Sequence, residues 1–169
     1  QELRGKPVTE IGERAFALLR AVVSISIPES VTSIGSGAFE GNILMRSVNI
    51  PSGVTVIGDD TFGECPYLES ISLPSGITSI GKRAFQGCQS LTSISIPPKV
   101  TVYSESMLSG CWKITSIVIP PHVKRIESEA LSGTGITSIV IPKHVELDPR
   151  GAFSACVSLR EVNILSEWT

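Results

Sequence analysis

Four cysteines recur at matching positions in this 169-residue chain, and thiols at a fixed spacing could form disulfides or bind a metal. Each comes three residues after a large apolar residue, and the four are Cys65, Cys88, Cys111 and Cys156. Metal spacing of the C-x2-C kind is absent, and three cysteines at successive equal steps cannot all pair with one another. Asn42 and Thr134 hold the same position elsewhere. We therefore interpret the cysteines as small buried residues whose S–H groups bind main-chain groups in a turn.

The chain has two histidines, His122 and His144, and each lies two residues after a proline. If like positions stack in adjacent repeats, their main chains lie about 5 Å apart. A pair so placed could share a divalent metal such as Zn²⁺ or Ni²⁺, with help from Glu146. The alternative is a pair of exposed rim residues, because two ligands alone make a weak site. Apart from this candidate metal, the chain is expected to need no cofactor.

The sequence contains no constellation of residues that is typical of catalysis. Residues 35–37 read Gly-Ser-Gly but lack the strand–helix setting of a dinucleotide-binding loop. A nucleophile elbow of the G-x-S-x-G type is absent, and the acidic residues form no spaced pair. We therefore expect that this chain is not an enzyme.

These residues are set in a repeat of nearly constant length. One proline recurs at intervals of 23, 23, 23, 23 and 22 residues: Pro28, Pro51, Pro74, Pro97, Pro120 and Pro142. A large apolar residue follows the same steps: Phe16, Phe39, Phe62, Phe85, Leu108, Leu131 and Phe153. A fixed period in this range indicates a solenoid, in which each coil buries its apolar face only against its neighbours.

A single repeat predicts the shape of one coil. Residues 93–96 alternate polar and apolar side chains, as in a half-buried strand, and Pro97 ends that strand because it has no N–H to donate. A second arm follows, then in four repeats a glycine where the chain bends, then a segment that predicts a short turn of α- or 3₁₀-helix. Stacked coils would place the strands in one parallel sheet on the concave face and the helical turns on the convex side.

The repeated phrase L-x-x-I-x-I-P-x-x-V-x-x-I-x-x-x-A-F-x-x-C resembles the leucine-rich repeats of the BspA-like, or TpLRR, class. The residues that carry the resemblance are Phe85, Cys88, Leu91, Ile94, Ile96, Pro97 and Val100. It implies a single leucine-rich repeat domain over residues 1–169, with about seven coils of 22–23 residues. It also implies a surface or secreted protein that adheres to host matrix proteins, host cells or other microbes. The departures from the pattern are Tyr103, Leu108, Leu131, Asp148 and Pro149.

Composition narrows the range of partners. Fourteen basic residues balance 16 acidic ones, and they form no basic cluster of the kind that binds nucleic acid. No apolar run approaches the roughly 18 residues that a membrane-spanning helix needs. We expect no nucleic-acid partner and no membrane span. The resemblance favours an extracellular, cell-surface or periplasmic location, with any signal sequence lying outside this chain.

Two columns of side chains should point outward from the concave face. One is Ser24, Ser47, Ser70, Ser93, Ser116, Ser138 and Glu161, and the other is Ser26, Asn49, Ser72, Ser95, Val118, Val140 and Asn163. The columns are small and polar until Val118 and Val140, which His122 and His144 flank and which Trp112 precedes in the chain. These five residues form the predicted partner-binding site. The alternative is ordinary β-branched surface filling that needs no partner.

Neither end of the chain shows the polar cap that a repeat array needs to cover its terminal coils. Trp168 is expected to cover the last coil, and the ends could otherwise meet further coils or other copies. The sequence therefore predicts a non-catalytic adhesion or protein-interaction module that binds host or microbial partners through its concave face or rim. The alternative is a structural element that self-assembles through the ends of the solenoid.

Overall fold

Short strands one repeat apart lie side by side in parallel register, as the period predicts. The computed structural model describes residues 2–3 and 5–165, so the predicted role of Trp168 lies outside the described residues. The strands are β1 Glu2–Leu3, β2 Lys6–Pro7, β3 Glu10–Ile11, β4 Ser24–Ser26, β5 Ser33–Ile34, β6 Ser47–Asn49, β7 Val56–Ile57, β8 Ser70–Ser72, β9 Ser79–Ile80, β10 Val102–Tyr103, β11 Arg125–Ile126, β12 Ser138–Pro142, β13 Glu146–Leu147 and β14 Glu161–Leu165.

The strands fall into two rows. We number coils 1 to 7 by the large apolar residue of each, from Phe16 to Phe153, and β14 begins an eighth coil. On the concave face β4, β6 and β8 pair in parallel, and β12 pairs with β14. A second row, the arm strands, contains β3–β5, β7–β9 and β10–β11–β13. Strands β1 and β2 form a separate antiparallel pair. The leucine-rich repeat solenoid of about seven coils is therefore confirmed.

Like residues in successive coils form continuous apolar columns in the core. The rings of Phe16, Phe39, Phe62 and Phe85 stack with centroids 5.8, 5.4 and 5.7 Å apart. A second column consists of Ile34, Ile57, Ile80, Tyr103 and Ile126, all buried. Because burying one large apolar side chain contributes about 1.5–3 kcal/mol, these columns supply much of the driving force for stacking.

The cysteine positions form a third column, which we call the capping slot: Asn42, Cys65, Cys88, Cys111, Thr134 and Cys156. Its members are hydrogen-bond donors, as the sequence predicts. The Sγ of Cys88 donates to the Phe62 carbonyl of the preceding coil at 3.1 Å, and Asn42 Nδ2 donates to the Phe16 carbonyl at 2.7 Å. All four cysteines are free thiols. The side chains of the capping slot therefore donate hydrogen bonds to buried main-chain carbonyls that would otherwise have no donor.

The convex segments differ from the sequence prediction, because the described residues form hydrogen-bonded turns there and no helix. Successive N–H groups alternate in direction. Phe39 donates to the Thr61 carbonyl of the next coil at 3.0 Å, whereas Ala38 donates back to Gly35 at 3.2 Å. Two residues per coil, four apart, adopt positive φ: Arg14 and Leu18, Gly37 and Gly41, Asp60 and Glu64, Arg83 and Gly87, Ser106 and Gly110, Glu129 and Gly133, Gly151 and Ala155. Residues in this left-handed conformation prevent a helix from forming, and they direct alternate N–H groups along the solenoid axis.

The concave sheet is not continuous, in contrast to the prediction. Residues 93–96 and 116–119, the concave segments of coils 5 and 6, make no main-chain hydrogen bond to neighbouring coils within the described residues. In both coils two prolines follow the segment, at residues 97–98 and 120–121, whereas coils 2, 3, 4 and 7 have one there. In coil 3 the slot of the second proline holds Ser52, whose N–H donates to Glu29 at 3.3 Å. Proline cannot make that bond, and it also restricts the residue before it.

Coil 7 is irregular at Pro149. In coil 6 the equivalent N–H, that of Glu127, donates to coil 5 at 2.9 Å, but Pro149 has no N–H. Instead the N–H of Asp148 donates to Ile126 at 2.9 Å, and the arm register shifts. The Asp148 side chain is only 7% exposed and pairs with Arg150. The hydrogen bond from the Arg150 guanidinium lowers the pKa of the Asp148 carboxyl below its ordinary value.

The glycine that follows the arm strand is needed for space and not for a bend. Gly35 and Gly81 do not have positive φ, but each lies against the main chain of the preceding coil. A Cβ added at Gly81 would lie 2.5 Å from the main-chain nitrogen of Asp59. At Gly12, the same position in coil 1, no described atom lies within 4 Å of such a Cβ. The glycines thus set how closely two coils approach.

We predict that Gly81→Ala destabilises the protein by about 1–3 kcal/mol, because the added methyl forces coils 3 and 4 apart. In a protein of this size this lowers Tm by several degrees. The matched control is Gly12→Ala, which we expect to leave Tm unchanged or slightly raised, since it removes only flexibility of the unfolded chain. Thermal unfolding followed by circular dichroism measures both. Equal Tm values for the two variants would contradict the close approach.

Candidate functional site

The concave face changes character between its two ends. In coils 2 to 4 its outward residues are small, polar and exposed, and the parallel register confirms that they form columns. Farther along, Val118 is 82% exposed and Val140 is 46% exposed. Both valine side chains therefore point to solvent from the concave face, where an apolar side chain does not pack against the core.

A groove separates the concave segments of coils 6 and 7. It has a volume of about 240 Å³ and is lined by Ser116, Ile117, Val118, Ile119, Ser138, Ile139, Val140, Pro142 and Leu165. We call this the concave groove. It lies where residues 116–119 make no main-chain hydrogen bonds to coil 7. Among the described residues, its lining is mostly aliphatic and includes no charged or aromatic side chain.

A shortened loop leads into the coil 7 side of the groove. Between the capping slot and the next buried isoleucine, coil 5 has Trp112 and Lys113, but coil 6 has only Gly135. This deletion produces the single 22-residue step in the repeat. A Cβ at Gly135 would lie 2.2 Å from the carbonyl oxygen of Trp112, so the shortened loop requires glycine.

The structure brings together two of the five residues predicted to bind a partner. Val118 and Val140 both line the concave groove, whereas Trp112, His122 and His144 do not. Trp112 is 59% exposed and lies in the loop before residues 116–119. The histidines follow the concave segments, at their opposite end. A partner that covers the whole strand length would be needed to contact all five.

The Nε2 atoms of His122 and His144 have different surroundings. His144 Nε2 lies 3.0 Å from the carbonyl oxygen of Val123. His122 Nε2 is buried and has no hydrogen-bond partner among the described residues. Glu146 lies exposed in the arm strand β13. The described part of the chain contains no group of three potential ligands from histidine, cysteine, aspartate and glutamate, so a metal at the pair stays a prediction.

The buried thiols are poorly suited to act as nucleophiles or metal ligands. Burial raises the pKa of both the Cys65 and the Cys111 thiol to about 12. Burial also raises the pKa of the Cys88 thiol well above its ordinary value. These groups therefore remain protonated at neutral pH and act as weak hydrogen-bond donors.

One apolar surface was missed from the sequence. Val23, Leu44, Arg46 and Tyr67 line a cavity of about 340 Å³ on the flank where the loops enter the concave strands. The guanidinium of Arg46 lies 5.8 Å from the centre of the Tyr67 ring and forms an ion pair with Glu69. Leu44 and Tyr67 each stand two residues after the capping slot in adjacent coils. This equal spacing is the feature of the sequence from which the apolar surface could have been predicted.

The charged side chains of the convex face pair between neighbouring coils. Arg83 donates to both carboxylate oxygens of Asp60 at 2.8 and 2.9 Å, and Lys82 binds Glu105 at 3.0 Å. Such exposed pairs contribute about 0–1 kcal/mol each to the stability of the protein, so they are a minor contribution beside the buried core. The described residues include no helix with the length and apolarity needed to cross a bilayer.

Comparison with known proteins places these features in a family. A family model described as BspA type leucine rich repeat region matches residues 5–73 and 55–169, in six copies. No curated protein matches the chain significantly. Repeat proteins of this family and its structural neighbours are generally non-catalytic.

Three solved structures have the same fold. A leucine rich cell surface protein of Faecalibacterium prausnitzii is 30% identical over 93% of this chain and 51% of its own, with a TM-score of 0.71. A leucine-rich repeat protein of Bacteroides ovatus is 26% identical over 95% of this chain and 65% of its own, with a TM-score of 0.63. The T. pallidum leucine rich repeat protein TpLRR is 26% identical over 96% and 65%, with a TM-score of 0.64. The chain thus spans 51% to 65% of the length of these structures.

We predict that Zn²⁺ raises the Tm of the native chain by a small amount, through preferential binding to the folded histidine pair. The rise should be absent in His122→Ala, which lacks one of the two proposed ligands. Thermal unfolding with and without Zn²⁺ measures the effect. A Tm of the native chain that does not change when Zn²⁺ is added would contradict the prediction of a metal site.

Proposed function

This chain belongs to the BspA-type leucine-rich repeat family, and on that premise we propose that it is a non-catalytic module that binds a protein partner through its concave face. The observation that carries the proposal is the concave groove, with Val118 and Val140 exposed on a face that is otherwise polar. Apolar side chains surrounded by a polar rim are typical of the centre of a protein interface.

Two features of the groove favour binding over simple surface filling. Val118 is 82% exposed, so its side chain contributes little to packing of the free chain. The main chain of residues 116–119 makes no hydrogen bond to a neighbouring coil, so Val118 does not support a regular sheet, whereas Val140 lies in β12, which pairs with β14. Covering the groove would remove apolar surface from water at about 25 cal/mol per Å² before the costs of association.

We also propose that the chain is part of a cell-surface or secreted protein and that its partner is a host matrix protein, a host-cell protein or a protein of another microbe. The support is the F. prausnitzii protein, which is described as a cell surface protein. The rim residues Trp112, His122 and His144 would then contact the partner around the groove, since they lie before and after the same concave segments.

Self-assembly through the ends is a second candidate function, favoured by a specific observation. In the last described strand, Val162 and Ile164 stand in register with the buried Ile139 and Ile141, yet Ile164 is 68% exposed. At the other end of the described residues, a groove of about 320 Å³ opens onto Phe16 and other core side chains. An end of one copy that stacks on the opposite end of the next would cover both apolar surfaces.

The main proposal predicts that Val118→Asp weakens partner binding at least about tenfold, because an aspartate in an apolar interface is desolvated without a counter-charge. The chain is immobilised, matrix and serum proteins are tested one at a time, and the affinity of any that bind is measured. Val56→Asp is the matched control, since Val56 is 47% exposed on an arm strand away from the groove. Unchanged Tm in both variants shows that the fold is intact. Equal binding by Val118→Asp and the native chain would contradict the groove as the site.

The second candidate predicts association that depends on concentration. Sedimentation velocity between about 10 and 100 µM should show larger species as concentration rises, since assembly follows mass action. Ile164→Asp should sediment as a monomer throughout that range, because a charge at the exposed end of the core opposes stacking. A native chain that remains monomeric at every concentration would exclude self-assembly.

A further inference from the structure

We propose that the occupant of the concave groove is an extended polypeptide segment, which seats one uncharged apolar side chain between coils 6 and 7 and hydrogen-bonds to the unpaired main chain of residues 116–119. This inference rests on the proposed function and specifies its partner. It is carried by three observations: the groove itself, the break in main-chain pairing beside it, and the lack of charged side chains among the described residues that line it.

The break is confined to one side of the solenoid. On the convex side, Leu108 donates to Ala130 at 2.9 Å and Leu131 donates to Ala152 at 2.9 Å, so coils 5, 6 and 7 remain bonded. The arm strands β10, β11 and β13 also pair without interruption. The coils are therefore held at two edges and open at the third. An opening held in this way exists before a partner arrives, which lowers the cost of binding.

Unpaired main-chain groups favour a polypeptide over other classes of ligand. Each residue of an extended segment carries one N–H donor and one C=O acceptor, and another extended chain presents the same groups at matching spacing. A glycan would gain most from aromatic platforms and planar polar side chains, and the part of the groove lining that the structure describes contains neither. A small apolar ligand would leave the backbone groups of residues 116–119 unused.

The lining also limits which side chain enters the groove. The volume of about 240 Å³ lies below the range of roughly 300–1,000 Å³ that is usual for drug-sized ligands, and it suits a single large side chain. Ile117, Val118 and Val140 supply apolar walls, and Ser116 and Ser138 are the polar side chains among the described lining residues. A charged side chain would lose water there without gaining a partner. The anchor is therefore aliphatic or aromatic.

Pro121 distinguishes this site in sequence from the paired concave strands of coils 3 and 4. In coils 3 and 4 the equivalent residue is Ser52 or Ser75, each of which has the N–H that proline lacks. Pro121→Ser should allow residues 116–119 to approach the regular ladder and should narrow the groove without adding charge. This variant tests the open backbone itself, whereas Val118→Asp tests the apolar wall.

The experiment uses a displayed library of random peptides of about 12 residues, selected against the full chain, together with amide hydrogen exchange followed by NMR. In the free chain, amides of residues 116–119 should exchange at least about tenfold faster than those of Ser47–Asn49, which are paired in β6. Selected peptides should share one apolar position, and their binding should slow exchange at residues 116–119 and leave Ser47–Asn49 unchanged. Val118→Asp and Pro121→Ser should each weaken peptide binding at least about tenfold, and Val56→Asp should not.

The possible failures can be told apart. Free-chain amides at residues 116–119 that are as protected as Ser47–Asn49 would overturn the inference, whatever binds. A matrix protein whose binding is lost in Val118→Asp, with no selected peptide and no protection at residues 116–119, would also overturn it while leaving the proposed function intact. Peptides that bind and protect residues 116–119, with no matrix or serum protein bound, would support the groove as a peptide site and contradict the proposed class of natural partner.

Discussion

Everything in this molecule depends on hydrogen bonds that run along the solenoid axis and join like positions of successive coils. They occur in three rows, on the concave face, along the arm strands and between the convex turns. Where these bonds are present they hold the next coil in register, so that the phenylalanine rings stack and the cysteines of the capping slot donate to a carbonyl of the coil before them. A coil alone would bury neither its apolar face nor its main chain.

Much of the coil stacking could be predicted from the sequence, because the same residue pattern recurs in about seven repeats and so assigns the same position in every coil. The period gave the number of coils, and the alternation around each proline gave the side of the sheet that each serine faces. The capping role of the cysteines followed from Asn42 and Thr134, which share a slot with them and have donors but no common chemistry with thiols. Val118 and Val140 were identified because they interrupt an otherwise uniform column.

The features that escaped prediction depend on contacts between coils and not on any single coil. Nothing in the residue types of Arg83 or Glu64 indicates positive φ, and that backbone angle is imposed by the carbonyls of the next coil. Gly81 was attributed to a bend, although its lack of a side chain serves the close approach of Asp59. The paired prolines were visible, but their effect on the sheet requires knowing which neighbour bond each replaces.

The free thiols of the capping slot carry a consequence for how this protein can fold. Cysteines Cys65, Cys88 and Cys111 donate to carbonyls of the preceding coil as thiols, so they stabilise the coils in their reduced form. Their raised pKa values also slow thiol–disulfide exchange, which needs the thiolate. The core therefore forms with these three cysteines reduced and contains no disulfide among them. Its assembly needs no oxidase to form such bonds and no isomerase to rearrange them.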